Sequence, residues 1–403
     1  MKDLKAYIMQ KYGGQCSCGK NHQVDLEDIL IGTDILDSIP GLVRKHGHRV
    51  FLVSDCHTWE VAGKKVAAIL EDNGIEYVSF SYDDDHVEPD ERAVGSLIMH
   101  FDLSCDYIVT TGSGVLNDLT KILSRWTGVP YMIVGTAPSM DGYASATSSV
   151  VLDGLKQSLD TTLPVAIVAD VAILKNAPIR MLQSGMGDVF AKYISLAEWR
   201  ISNIINDEYY CEKIDALVQE ALDACAKNAA ALVKRDERAV EAVMEGLIYA
   251  GLGMTMTGLS RPASGMEHYY SHIWDMRGVV FDTPFDFHGI QCAVGTYESI
   301  RVYDEVKKII PDYAKAKANA EAFSWDQWAK IIKYFLGAGG DSMIAKPENR
   351  EKYDLEAHKK RFDAIAAHWD DILKVIDEYI PTLNDYKALL EGMGFTETYE
   401  TLG

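Results

Sequence analysis

Positive charge is scarce in this 403-residue sequence: 39 Lys and Arg stand against 60 Asp and Glu, a formal net charge of −21. Nucleic acids and anionic membrane surfaces are held by clustered basic side chains, so neither is expected as a partner. Uninterrupted apolar runs of about 18 residues, the length a membrane helix needs, are also missing. The longest candidate, Ala242–Met256, carries Glu245 inside it, and no membrane span is expected. The opening MKDLKAYIMQKYGG lacks the apolar core of a signal peptide. Internal repeats and low-complexity linkers are lacking too. The seven cysteines (Cys16, Cys18, Cys56, Cys105, Cys211, Cys225, Cys292) are odd in number and scattered, which suits a reducing cytoplasm better than a disulfide framework.

What is present is an ordinary globular composition, 48% hydrophobic and 25% charged, in a chain long enough for two cores. Residues 1–176 alternate short apolar runs with helical spacing, as a parallel sheet with crossover helices does. Strands are expected at Arg49–Val53, Tyr77–Phe80, Tyr107–Thr110, Tyr131–Val134 and Val165–Val168. Helices are expected at Trp59–Asp72, Glu91–His100 and Val115–Trp126, and a hairpin at Ser148–Leu159 turning on Asp153-Gly154. Beyond Pro178 long 3.6-period stretches take over: Gly187–Asn203, Asp207–Leu232, Arg238–Met256, Gly265–Met276, Gly289–Val306, Trp325–Phe335 and Leu355–Ile380. The fold class is therefore an N-terminal Rossmann-like α/β domain (1–176) followed by an all-α C-terminal domain (177–403). Asp83-Asp84-Asp85 and Lys346–Lys360 read as solvated loops and faces.

Three loops carry chemistry in the first half and at the junction. In Thr111–Lys121 (TGSGVLNDLTK), glycines at a strand-to-helix turn let backbone N–H groups approach a phosphate, with a plain tight turn as the alternative. Asp55, closing the first of these strands, can accept from a ribose diol or cap the next helix. Gly135–Ser145 (GTAPSMDGYAS) follows another strand and offers the hydroxyls of Thr136, Ser139 and Ser145 and the carboxylate of Asp141. Ligands of open parallel sheets bind at the carboxyl ends of strands, so the two loops are expected side by side. Ser184–Lys192 (SGMGDVFAK) puts Asp188 and Lys192 one helical turn apart, either as a surface ion pair or with Asp188 as a metal ligand.

The second half holds the densest stretch. Ser260–Gly289 packs His268, His272 and His288 among acidic and aromatic residues. His268 and His272 share one helix face; His288 follows the break at Pro284. Asp188 with His268 and His288 makes a mixed carboxylate and imidazole set of the kind that leaves coordination positions open for catalysis. Arg261, Ser264 and Glu267 lie close by in sequence. The N-terminal CSCGKNH supplies Cys16, Cys18 and His22 but no evident fourth ligand, and reads as a polar turn rather than a zinc knuckle.

Taken together, RVFLVSD, TGSGVLNDLTK, GTAPSMDGYAS, SGMGDVFAKY, SRPASGMEHYYSH and FHGIQ resemble the sn-glycerol-1-phosphate dehydrogenases, in particular the bacterial AraM-type branch of the iron-containing alcohol dehydrogenase and dehydroquinate synthase-like superfamily. The resemblance implies a dinucleotide, NAD(H) or NADP(H), held by Asp55, by Gly112, Ser113, Gly114, Val115, Leu116, Asn117 and Asp118, by Thr136, Ala137, Pro138 and Ser139, and by Ser145. It implies substrate contacts from Asp141, Asp188 and His272, and one divalent ion on Asp188, His268 and His288. The iron-dependent relatives look to have a further His where this sequence has Lys192, so zinc or nickel fits better than iron.

The chemistry expected is reversible, NAD(P)H-dependent reduction of dihydroxyacetone phosphate to sn-glycerol 1-phosphate, a step toward phospholipid, with the C2 oxygen on the metal. Catalytic roles fall to Asp188 and to His272, as proton relay. Arg261 and Ser264 are the candidates for the substrate phosphate, because an acidic protein needs a local cation there. A homo-oligomer in the cytoplasm is expected. Alternatives are a dehydrogenase of an unphosphorylated polyol, a dehydroquinate synthase-like lyase, or a non-catalytic cofactor-binding protein.

Overall fold

The fold was analysed on a computed structural model, which describes residues 4–152, 155–346, 349 and 354–402. Its centre is a six-stranded sheet built from β3 (Asp28–Gly32), β4 (Arg49–Asp55), β5 (Glu76–Tyr82), β6 (Tyr107–Gly112), β7 (Tyr131–Gly135) and β10 (Ala166–Asp170). The order is β3-β10-β7-β6-β4-β5, and every pairing is parallel. Two small antiparallel hairpins stand outside it: β1 (Gly14–Gln15) with β2 (Asn21–His22), and β8 (Thr147–Leu152) with β9 (Leu155–Asp160).

Side-chain alternation explains the two-sided burial. In β4, Phe51 and Val53 join one core while Val50 and Leu52 join the other; in β6, Ile108 opposes Tyr107 and Val109 in the same way. One face is covered by the helices Ile39–His46 and Lys64–Asp72 through Leu42, Val43, Val66 and Leu70. The other is covered by Glu91–His100 and Gly114–Thr127 through Leu97, Leu119 and Leu123, and this core continues into the helices of the second half. The chain runs from β4 out to β5 and then back past β4 to β6. The carboxyl ends of β4 and β6 therefore flank the point where strand order reverses, which is where open sheets bind their ligands.

After β10 come the helices Ile179–Phe190, Lys192–Asn206, Glu212–Leu232, Glu237–Thr257, Met266–Phe281 and His288–Val306, then shorter ones to Leu402. No helix among the described residues is long and apolar enough to cross a membrane.

The strands expected from sequence are present and one to three residues longer; the edge strand β3, the helix Leu4–Tyr12 and the hairpin β1–β2 are additional. Two expected long helices are each broken. Gly187–Asn203 divides at Ala191, and Leu355–Ile380 divides at His368, whose backbone (φ −119°, ψ 22°) leaves helical geometry. The turn Asp153-Gly154 and part of Lys346–Lys360 lie outside the described residues. The N-terminal helix packs between the edge strand β3 and the helix Glu212–Leu232, where Tyr7, Lys11 and Tyr12 all bond to Glu220. The run Cys16–His22 is more than a polar turn, because Cys211 is brought against it from the other half of the chain.

Candidate metal centre and cofactor cleft

Two close backbone approaches, one of helix on helix and one of loop on helix, assemble the centre. A Cβ on Gly289 would stand 1.8 Å from the Ser184 carbonyl oxygen, and one on Gly185 would stand 1.9 Å from that of Pro138. Only glycine permits these approaches. The first brings His288, opening its helix, beside Asp188; the second seats the Thr136–Ser139 loop on the same helix turn.

Donor atoms of Asp188, His268, His288 and Cys292 all lie within 4.8 Å of one another. The imidazole centroids of His268 and His288 are 5.0 Å apart. Nδ1 of His268 is 2.7 Å from Glu267 Oε1, and Nδ1 of His288 is 3.0 Å from Ser271 Oγ. Each ring is thereby oriented by its outer nitrogen, leaving Nε2 for the centre, as metal-binding histidines are held. Gln291 extends the outer network, donating to Ser271 Oγ at 3.1 Å and Asp275 Oδ1 at 2.8 Å. One carboxylate and two imidazoles so arranged fit a divalent cation that prefers mixed N and O ligands.

Electrostatics favour the ligating forms. Burial pushes His268 and His288 down from 6.5 to about 4, so both are neutral near pH 7. His272 is lowered to about 3 by burial and by the other two imidazoles. Burial raises the Asp188 carboxyl, yet Lys192, His288 and His268 outweigh it and hold the group at about 2. Glu267 is pushed up to about 8 by burial, and its Oε2 has no hydrogen-bond partner.

Lys192 is not the surface ion-pair partner that spacing alone allows. Its fully buried Nζ reaches Asp188 Oδ1 (3.0 Å), Asp141 Oδ2 (2.8 Å) and the Ala263 carbonyl (3.0 Å). The Asp141 N–H also donates to Asp188 Oδ2 at 2.8 Å. The loop after β7 is thus tied directly to the metal-ligand cluster. His272 stands 6.3 Å from both His268 and His288, ring to ring, beside the centre.

The expected cofactor residues divide into two groups. Gly112, Ser113, Gly114, Val115 and Leu116 form the turn into Gly114–Thr127, and Ser113 makes no side-chain cap, so the first helical N–H groups are left for an anion. Thr136, Ala137, Pro138 and Ser139 lie alongside, with Thr136 N–H donating to the Gly112 carbonyl at 2.9 Å. Asn117, Asp118 and Ser145 instead face inward. Asn117 Nδ2 donates to the Gly142 carbonyl, and Asp118 accepts from Lys121 and from the Ser149 N–H. Ser145 Oγ lies 3.3 Å from Lys121 Nζ. The buried Lys121 binds Asp118, Gly142, Ser145 and Thr147 together, which gives these residues a part in shaping the loop. Asp55 caps the turn Cys56–Thr58, accepting the Thr58 N–H at 2.7 Å.

Arg261 departs from expectation. Its guanidinium is held by both oxygens of Glu208, at 2.9 and 2.8 Å, rather than open toward the centre. Sequence reading paired Arg261 with a phosphate because Glu208 is 53 residues away in the chain. Ser264 closes the turn Ser260–Ser264 through its backbone. Besides Lys192, which bears on His268, the cation that bears on His268, His272 and His288 alike is Lys156 of β9, paired with Asp275. Cys292 was also unforeseen, although its spacing of four from His288 on one helix was a readable signal.

Comparison with known proteins agrees with this arrangement. Residues 30–178 match the family described as iron-containing alcohol dehydrogenase. A glycerol-1-phosphate dehydrogenase [NAD(P)+] of Bacillus licheniformis is 33% identical over 308 residues, 75% of this chain and 77% of its own length. That of Bacillus subtilis is 31% identical over 344 residues, 80% and 87% of the two chains. Among solved structures, glycerol dehydrogenase from Schizosaccharomyces pombe superposes with a TM-score of 0.57 at 15% identity, covering 97% of this chain and 96% of that one, a likeness of fold. The sheet, the glycine-built centre and these relatives together make the chain a member of the glycerol-1-phosphate dehydrogenase [NAD(P)+] family, within the iron-containing alcohol dehydrogenases.

Proposed function

We propose that the chain catalyses reversible, NAD(P)H-dependent reduction of dihydroxyacetone phosphate to sn-glycerol 1-phosphate. The observation that carries this reading is the hydrogen bond from Asp141 N–H to Asp188, which joins the loop at the sheet's carboxyl edge to the ligand cluster. A divalent ion on Asp188, His268 and His288 would polarise the substrate carbonyl, and the nicotinamide would supply hydride. Asp188 is kept ionised by Lys192 and contributes the negative ligand. His272, neutral and beside the centre, is assigned the proton at the new hydroxyl. The turn Gly112–Leu116 and the Thr136–Ser139 loop are assigned the dinucleotide phosphates, and Asp55 the ribose diol. Asn117, Asp118 and Ser145 support that loop from behind. Asp141 is assigned to substrate.

The substrate phosphate is assigned to the side carrying Lys156; Arg261 would serve only by exchanging Glu208 for the phosphate. Zinc or nickel suits the single-carboxylate, two-imidazole set with Lys192 filling the next position. The division at residues 176 and 177 into cofactor and metal halves belongs to the same proposal. So do a cytoplasmic location, supported by seven free thiols, and a homo-oligomer, supported by the exposed apolar side chains Met99, Leu103 and Trp126.

The test is incubation of metal-loaded protein with NADH and dihydroxyacetone phosphate. Chelator-sensitive NADH oxidation is expected, with glycerol a much poorer partner in the reverse direction. Absence of such oxidation overturns the reading, and equal use of glycerol replaces it with a polyol dehydrogenase.

A further inference from the structure

A second cluster of metal-binding side chains takes no part in the proposed reaction: Cys16, Cys18, His22 and Cys211 bring one donor atom each to within 4.8 Å of all the others. Three come from the β1–β2 hairpin, and Cys211 comes from the residue preceding the helix Glu212–Leu232, 189 positions beyond His22. Their separations are Cys16 Sγ to Cys211 Sγ 3.7 Å, Cys18 Sγ to His22 Nε2 3.3 Å and Cys211 Sγ to His22 Nε2 3.3 Å.

Those three separations are close to edges of a tetrahedral site. Zinc–sulfur bonds of about 2.3 Å and zinc–nitrogen bonds of about 2.0 Å at tetrahedral angles require sulfurs ~3.8 Å apart and sulfur to nitrogen ~3.5 Å. A disulfide, with its ~2.05 Å bond, would engage two sulfurs and leave the others facing it to no purpose. We propose that Cys16, Cys18, His22 and Cys211 form a closed structural zinc site that clips the N-terminal hairpin to the helical half of the chain.

The surroundings are those of a thiolate site. His22 is wholly buried, and Nδ1–H donates to the Met256 carbonyl at 3.2 Å, which turns the Nε2 lone pair toward the sulfurs. Backbone amides point at the thiols: that of Cys18 at Cys16, that of Lys20 at Cys18, and those of Ile214 and Lys213 at Cys211. Tyr209 OH lies 3.2 Å from Cys18 Sγ. A divalent cation among the sulfurs lets all three ionise together. Three thiolates and zinc leave one negative charge, and Lys20 Nζ lies 4.1 Å over the ring of Tyr209, whose hydroxyl meets Cys18. With four protein ligands no position is open, so the role is structural and not catalytic.

Metal analysis and cobalt substitution of the full chain test this. Protein purified in reducing buffer is expected to hold one zinc per chain that H288A retains and that C16S/C18S and H22N lose. Cobalt-substituted C292S, in which the Asp188 cluster offers no thiol, is expected to show thiolate-to-cobalt charge-transfer absorption, absent once Cys16 and Cys18 are also replaced. Loss of the zinc should lower the melting temperature by roughly 5–10 °C, the scale of releasing a long cross-linked loop. No zinc beyond that lost in H288A, a cobalt spectrum without thiolate bands in C292S, or a Cys16–Cys211 disulfide in peptide mapping would each overturn the proposal. The cobalt measurement needs no cysteine-cluster variant to fold, and its failure would leave the reductase reading untouched.

Discussion

Lys192 donates from a fully buried Nζ to Oδ1 of Asp188, 3.0 Å away on the preceding helix turn. The bond spans the break at Ala191 and, with Asp141 on the other side, neutralises a carboxylate that would otherwise be buried alone. Removing one member of such a pair leaves an uncompensated charge. Lys192→Met is therefore expected to cost about 3–5 kcal/mol of stability in metal-free protein. Urea unfolding checks this, and a loss below 1 kcal/mol would mean the carboxylates find another partner.

His288→Ala should abolish metal binding at the Asp188 centre with the fold retained, because the ring contributes a donor atom while Gly289 carries the helix crossing. Metal content beside circular dichroism separates the outcomes. Metal retained at that centre, beyond the one zinc expected at the cysteine cluster, together with activity would remove His288 from the ligand set.

Asp55 serves two ends at once. It caps the turn Cys56–Thr58, and a carboxylate at this strand end repels a 2′-phosphate. NADH should be used at least as well as NADPH, and Asp55→Ala should shift the ratio of kcat/KM toward NADPH while costing about 1 kcal/mol in stability from the lost cap. A strong NADPH preference in the unaltered protein would place the ribose elsewhere.

Glu267 makes the metal-free fold sensitive to alkali. Burial raises its carboxyl from 4.5 to about 8, so between pH 6.5 and 8 the folded chain holds a proton that the unfolded chain has lost. Stability falls as pH rises wherever the folded state binds more protons. Unfolding in the presence of chelator should show wild type losing about 1–2 kcal/mol more than Glu267→Gln across that window. Parallel pH profiles for the two proteins would contradict the assignment.

Much of this was legible in the chain itself. The strands of the sheet were readable because both faces are buried, making β4, β6 and β7 near-continuous apolar runs. The edge strand β3 escaped because its DILIG is short and flanked by polar residues. Asp188, His268 and His288 stood out as residue types, yet their convergence depends on glycine crossings that no spacing encodes. Arg261 and Cys211 were misjudged for one reason: the partner that decides each, Glu208 or His22, is distant in sequence and near only after packing. Lys192 looked superficial because an i, i+4 pair carries no information about which way its helix faces.

The bonds from Tyr7, Lys11 and Tyr12 to Glu220 also carry a message about the order of events at the ribosome. Tyr12 and Glu220 are 208 positions apart, so at ~5–20 residues per second the first helix emerges about ten to forty seconds before this part of its docking surface exists. The sheet, whose strands end at Asp170, can close with this helix seated on β3 alone. Its bonds to Glu220 are then among the later contacts to form.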